Sequence, residues 1–136
     1  MSEEKRVGII ACAGMEKSFG SVATKSAFNV VEKLRSDTTR LIALPPLVTG
    51  VRPFPDLVKK LPVVVIDGCA ERCATKSIAK AGGKIAGRIL VIDSAKKYVL
   101  NPDTATNIGA NGEKLVEKIA EDVVLLVDQI IRRLEN

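Results

Sequence analysis

Histidine is absent from this 136-residue chain. Its absence excludes Ser-His-Asp and Cys-His catalysis, imidazole acid–base chemistry and histidine-ligated zinc. Any metal must be held by thiolate, carboxylate, backbone or water. Tryptophan is also absent, and the aromatic residues are three Phe and one Tyr. Modules that stack single-stranded bases need exposed rings, so base stacking has too little to work with. The net charge is +5, yet no block of five or six like charges occurs. The pairs Lys59-Lys60, Lys96-Lys97 and Arg132-Arg133 read as solvated. No nucleic-acid partner is expected. Long apolar runs are missing as well, none reaching the roughly 18 residues of a membrane span. The charged start "MSEEKR" lacks the apolar core of a signal peptide. The expectation is a cytoplasmic protein with no membrane partner, in which thiols stay reduced. An odd count of three cysteines then reads as metal-binding or catalytic rather than as a disulfide frame.

What is present is an ordinary globular composition, 46% hydrophobic and 27% charged. The length fits a single domain, residues 1–136. Short apolar runs alternate with helical patterns. "RVGIIAC" at 6–12 reads as a strand buried on both faces, followed by the loop "AGMEKSFG". From Ser21, a plausible N-cap, Ala23, Ala27, Val30, Val31 and Leu34 recur at helical spacing. "TRLIAL" at 39–44 reads as a second strand, stopped by Pro45-Pro46; a loop and a short helix around "PDLVKKL" come next. "PVVVID" at 62–67 is the strongest strand signal, and a helix is expected from about Ala70 to Ala81, ended by Gly82-Gly83. "RILVID" at 88–93 reads as a fourth strand, and 94–112 as a loop. Leu115, Ile119, Val123, Leu126, Ile130 and Leu134 mark a long helix over about 113–134. Val116, Val124, Val127 and Ile131 widen its stripe enough to cover a sheet face or to meet a second copy, so a homodimer through this helix is expected. The alternation implies an α/β fold: three layers and a four-stranded, mostly parallel sheet of Rossmann-like or flavodoxin-like order.

The three thiols fall at one end of that sheet. In open parallel sheets, ligands bind beyond the carboxyl ends of the strands, where strand order reverses. Cys12 ends strand 1 and Cys69 follows strand 3, and these strands flank the switch point in a 2-1-3-4 order. Cys73 follows in the first turn of the next helix, so a helix reaching back to Cys69 would put both thiols one turn apart on a shared face. A helix N-terminus favours thiolate, which is both metal ligand and nucleophile. Gly68 suits a sharp turn from strand to helix, and Gly14 and Gly20 suit the same role around Cys12. Asp67 is either a cap of the following helix or support for a metal or thiol. Asp67 and Asp93, both expected at strand ends, together offer a weaker hard-cation site.

Several motifs are excluded by spacing. Cys69 and Cys73 form Cys-x-x-x-Cys, not the thioredoxin-like Cys-x-x-Cys. None of the three cysteines has an arginine six residues on, and "GMEKSFGSVATKS" does not match a P-loop. "IDGCAERCA", with "IIACAG" upstream, resembles the DGC domain family, small proteins named for a central Asp-Gly-Cys motif. The likeness runs over about residues 6–93, with the long C-terminal helix outside it. The resemblance implies zinc chelation by four cysteines, with no established biochemical role. Cys12, Cys69 and Cys73 match the pattern residue by residue. Met15 stands where the family tends to have a second cysteine, and "ALPPLVTG", with Leu44 or a neighbour, where it tends to have another. One chain therefore supplies three thiolates, with Asp67, water or a ligand as the fourth donor; Met15 suits copper rather than zinc.

Three readings follow. The first is a zinc-binding protein with Cys12, Cys69 and Cys73 as ligands. The second is a thiol-based redox or cysteine-chemistry protein using Cys69, with Cys73 or Cys12 resolving it. The third is a small-ligand or partner-binding α/β module in which the cysteines are incidental.

Overall fold

The computed structural model describes residues 5–12, 17–68 and 71–135. Strands β1 (Val7–Ala11), β2 (Thr39–Leu41), β3 (Pro62–Asp67) and β4 (Lys84–Leu90) form one sheet in the order β2-β1-β3-β4, with every pairing parallel. Six α-helices accompany them among the described residues: α1 (Ser18–Asn29), α2 (Leu44–Thr49), α3 (Phe54–Lys60), α4 (Cys73–Lys80), α5 (Val91–Tyr98) and α6 (Gly109–Glu135). A π-helical turn, Val30–Leu34, extends α1.

The sheet separates two cores. Val7 and Ile9 of β1 and Val64 and Ile66 of β3 face α1, α5 and α6; Ile10, Val63 and Val65 face α2, α3 and α4. This alternation is the period-2 geometry of a strand expressed on both faces. The outcome is the three-layer α/β arrangement with a long C-terminal helix. The connection from β1 to β2 runs over one face through α1, and those from β2 to β3 and β3 to β4 over the other. The switch point therefore lies between β1 and β3.

β4 is an edge strand with a bulge. Val63 pairs with Ile85 and Val64 with Gly87, so Ala86 is the extra residue. A Cβ on Gly87 would lie 3.2 Å from Leu126, so this glycine lets α6 sit close on the sheet. Along α6, Leu115, Val116, Ile119, Ala120, Val123, Val127 and Ile130 are buried within the chain itself. The width of the stripe is thus explained by α6 meeting both the sheet and α1, leaving Leu125 and Leu134 exposed.

Several boundaries differ from those expected. α1 starts at Ser18 with Lys17 at its N-cap position; Ser21 lies inside the helix and donates its hydroxyl to the Ala105 carbonyl at 2.6 Å. Pro45 and Pro46 open α2 rather than merely stopping β2, because proline suits the first helical turn, whose N–H groups have no intrahelical partner. The fourth strand begins at Lys84, and Val91 to Tyr98 form α5, so Asp93 is an exposed first-turn residue of a helix and not a strand end. β-branched Val91 and Ile92 at the start of α5 read locally as strand; the burial of Val91 and Ala95 in the core shared with α1 and α6 suits a helix instead. The Gly82-Gly83 stop holds: Gly82 has φ 79, and the Gly83 N–H returns to the Ile78 carbonyl at 2.9 Å.

Arg35 follows the π turn and pairs with Asp128 of α6 through two hydrogen bonds, each of 2.9 Å. That hydrogen bonding from Arg35 holds the Asp128 carboxyl below its usual range. A carboxylate depressed by folding stabilises the protein above its unfolded value of about 3.9, and the contribution fades as pH falls through the lower folded value. Both side chains are more than a third exposed, 37% and 36%, so screening keeps the effect small. Asp128→Asn is expected to cost roughly 0.5–1 kcal/mol at neutral pH and nothing in acid below the folded value, read from urea unfolding at the two conditions.

Candidate metal and thiol site

The carboxyl ends of β1 and β3 are locked side by side. Ala11 is in register with Ile66, and the Cys12 N–H donates to the Ile66 carbonyl at 2.9 Å. Cys12 is half-buried just past β1, and its own carbonyl accepts from the Thr24 hydroxyl of α1 at 3.3 Å. The same hydroxyl reaches the Gly20 carbonyl at 3.0 Å, so one side chain ties the end of β1 to the first turn of α1.

On the neighbouring strand, Asp67 is buried to 3% exposure. Its carboxylate accepts from the Ala74 N–H at 3.0 Å and from the Thr75 hydroxyl. These are contacts with the first turn of α4, where backbone N–H groups lack intrahelical partners and favour negative charge. Of the two expected roles for Asp67, the capping role is the one its bonds fulfil. Arg72 precedes α4 in the left-handed region (φ 54, ψ 48) and leaves the capping position without a side-chain bond of its own. Asp67, seven residues before Ala74, does the work from the strand end.

Cys73 is the first residue of α4, exposed, with its carbonyl accepting from Ser77 at 2.8 Å. The helix expected from about Ala70 starts three residues later, so the shared-face argument for Cys69 and Cys73 lacks the helical turn it requires. Cys69 itself lies outside the described residues, as do Gly14 and Met15. Cys12 and Cys73 are free thiols. Among the described residues, no group of three cysteine or carboxylate side chains is placed to hold a metal ion.

Gly68 matters for a different reason from the one its sequence suggests. Its φ is not positive. A Cβ there would lie 3.0 Å from the Gly20 nitrogen and 3.1 Å from the Phe19 carbonyl carbon, both backbone atoms of the first turn of α1. The glycine allows the strand end and the helix start to touch backbone to backbone. Gly20 is likewise buried within α1 rather than turning the chain after Cys12. Thr24 and Thr75 were not foreseen from sequence. Their spacing to Cys12 and Asp67 matches no local pattern, whereas two glycines at a strand end and a helix start are a signal of close approach.

The described residues at this edge include two thiols and one carboxylate. Cys12 immediately follows β1 and Cys73 opens α4, the helix whose first turn is bonded by Asp67 at the end of β3. Asp67→Ala leaves a buried N–H and hydroxyl without their acceptor and is expected to cost about 2–3 kcal/mol. Asp67→Asn keeps one acceptor, and the Thr75 hydroxyl can turn to accept, so its cost is expected to be about 1 kcal/mol. Gly68→Ala should destabilise by about 1–3 kcal/mol, because backbone atoms cannot move aside. Urea unfolding of the three variants checks the order.

The comparisons with known proteins give one match. A family model, DGC domain, matches residues 8–123. The span runs past residue 93, through α5 and into α6, so part of the long helix falls within the domain. No curated protein and no solved structure gave a significant match.

Proposed function

We propose a metal-binding function from one premise: this chain belongs to the DGC domain family. The metal is zinc, and Cys12, Cys69 and Cys73 are its ligands. The observation that carries this reading is the location of Cys12 and Cys73. One ends β1, the other begins α4, and both adjoin the same buried Asp67 beside the switch point. The donor set suits the ion in kind, since thiolates are preferred zinc ligands in a chain without histidine. Asp67 does not suit it as the fourth ligand, because both of its oxygens are bonded to α4. The fourth position falls to water or an exogenous ligand. Zinc with three protein ligands and one exchangeable position acts as a Lewis acid or passes on what it binds. The contribution of the chain is to hold its thiolates at the end of a rigid sheet.

A second reading, thiol chemistry, draws on the exposure of Cys73 at the start of α4. An accessible thiol in a chain without histidine can still act as a nucleophile through its thiolate form.

Protein purified without chelator is expected to carry about one zinc per chain, measured by elemental analysis, given three thiolate ligands. Cys12→Ser, Cys69→Ser and Cys73→Ser should each lose most of it, and Asp67→Asn should retain it. No metal with one fast-reacting thiol, counted by a thiol reagent, would favour the second reading. No metal with three inert thiols would leave a binding module with incidental cysteines.

A further inference from the structure

The face of the sheet covered by α2, α3 and α4 carries most of the net charge of the chain. Residues 44–84 contain seven basic and three acidic side chains, so four of the five net positive charges fall in this segment. Of the three acids, Asp67 is buried and bonded to α4. Between α2 and α4 lies a groove of about 380 Å³ lined by Leu47, Val48, Lys76, Ser77, Lys80 and Ala81. One wall is apolar. Leu47 and Val48 line it, and Val48 is 63% exposed; Val51, just past α2 and outside the lining, is 53% exposed. The Gly50 cap holds both valines in place, with the Val51 N–H bonded to the Pro46 carbonyl at 2.8 Å. The other wall is basic, with Lys76 and Lys80 one helical turn apart on α4. Neither lysine has an ion-pair partner among the described residues.

We propose that this groove docks an acidic peptide segment of a partner protein, anchored by one or two apolar side chains. Two unpaired lysines along one wall complement carboxylates spaced one turn apart, and such complementarity steers encounter and fixes register. The floor of Leu47 and Ala81 accepts an apolar anchor. Exposed Val48 in the lining extends the apolar contact, as exposed apolar patches rimmed by polar residues do at interaction sites. A concave groove takes an inserted side chain, which a flat bilayer does not provide. A second copy of the chain is a poorer occupant. Of the exposed acids of α6, Glu113 is already engaged by Lys25 at 3.0 Å and would have to leave it to meet the lysine wall.

The test starts from the full chain and a phage-displayed library of random peptides of about twelve residues, long enough for three helical turns. Enriched sequences should be net acidic with a Leu, Ile or Phe. The most enriched one, synthesised and labelled, should bind more weakly as salt rises, read by fluorescence anisotropy. Lys80→Glu and Val48→Ser should each weaken it by about fivefold or more, while Lys33→Glu, outside the groove, should not. Circular dichroism checks that the variants are folded. No enrichment, neutral or basic winners, or affinity indifferent to Lys80→Glu and Val48→Ser would overturn the proposal. Binding to phosphatidylcholine–phosphatidylserine vesicles that Lys80→Glu abolishes and the peptide does not compete would overturn it in favour of a lipid surface.

Discussion

The burial of β3 on both faces is the constraint on which the rest of the molecule depends. Val63, Val64, Val65 and Ile66 are all fully buried, two against each core. Each such side chain is worth roughly 1.5–3 kcal/mol relative to exposure, but only if helices cover both faces. That requirement puts α1, α5 and α6 on one side and α2, α3 and α4 on the other. It also places β3 in the interior of the sheet, between β1 and the bulged edge strand β4.

Where β3 stops, the chain changes from apolar burial to polar geometry within two residues. Asp67 is the last strand residue and spends its carboxylate on α4. Gly68 is the first residue beyond and touches the first turn of α1. The two helices that diverge from the switch point are thus both fastened to one dipeptide. Thr24 completes the fastening from the β1 side by bonding the Cys12 carbonyl. Asp67 bonds α4 because a buried carboxylate must satisfy its oxygens, and the Ala74 N–H and Thr75 hydroxyl are the donors that reach it.

The two faces of the sheet differ electrostatically. On the α1 and α6 side, two ion pairs and a phenol–carboxylate bond cross between elements: Lys25 meets Glu113 at 3.0 Å, Arg35 meets Asp128, and the Tyr98 hydroxyl donates to Asp122, which holds the phenol above its usual range. On the α2 to α4 side, basic residues outnumber acids and stand beside exposed valines. Paired charge serves internal packing, while unpaired charge of one sign projects a field outward.

The sequence by itself determined the fold class and the central strand, because a short β-branched apolar run between turn residues has few other ways to be buried. It also put Cys12 at the end of a strand and Cys73 in the first turn of a helix, and supplied the family likeness, since "DGCAERCA" is local and specific. It did not determine the ends of helices or the edge strand. Val91-Ile92 reads as strand until the burial of Val91 against other helices is known, and Pro45-Pro46 reads as a stop until the chain beyond folds into α2. Only the tertiary structure decided what Asp67, Gly68, Thr24 and Thr75 do. Their partners lie on other elements, as far away in sequence as Gly20 is from Gly68, and no local periodicity carries information about a contact that exists only once the strands have paired.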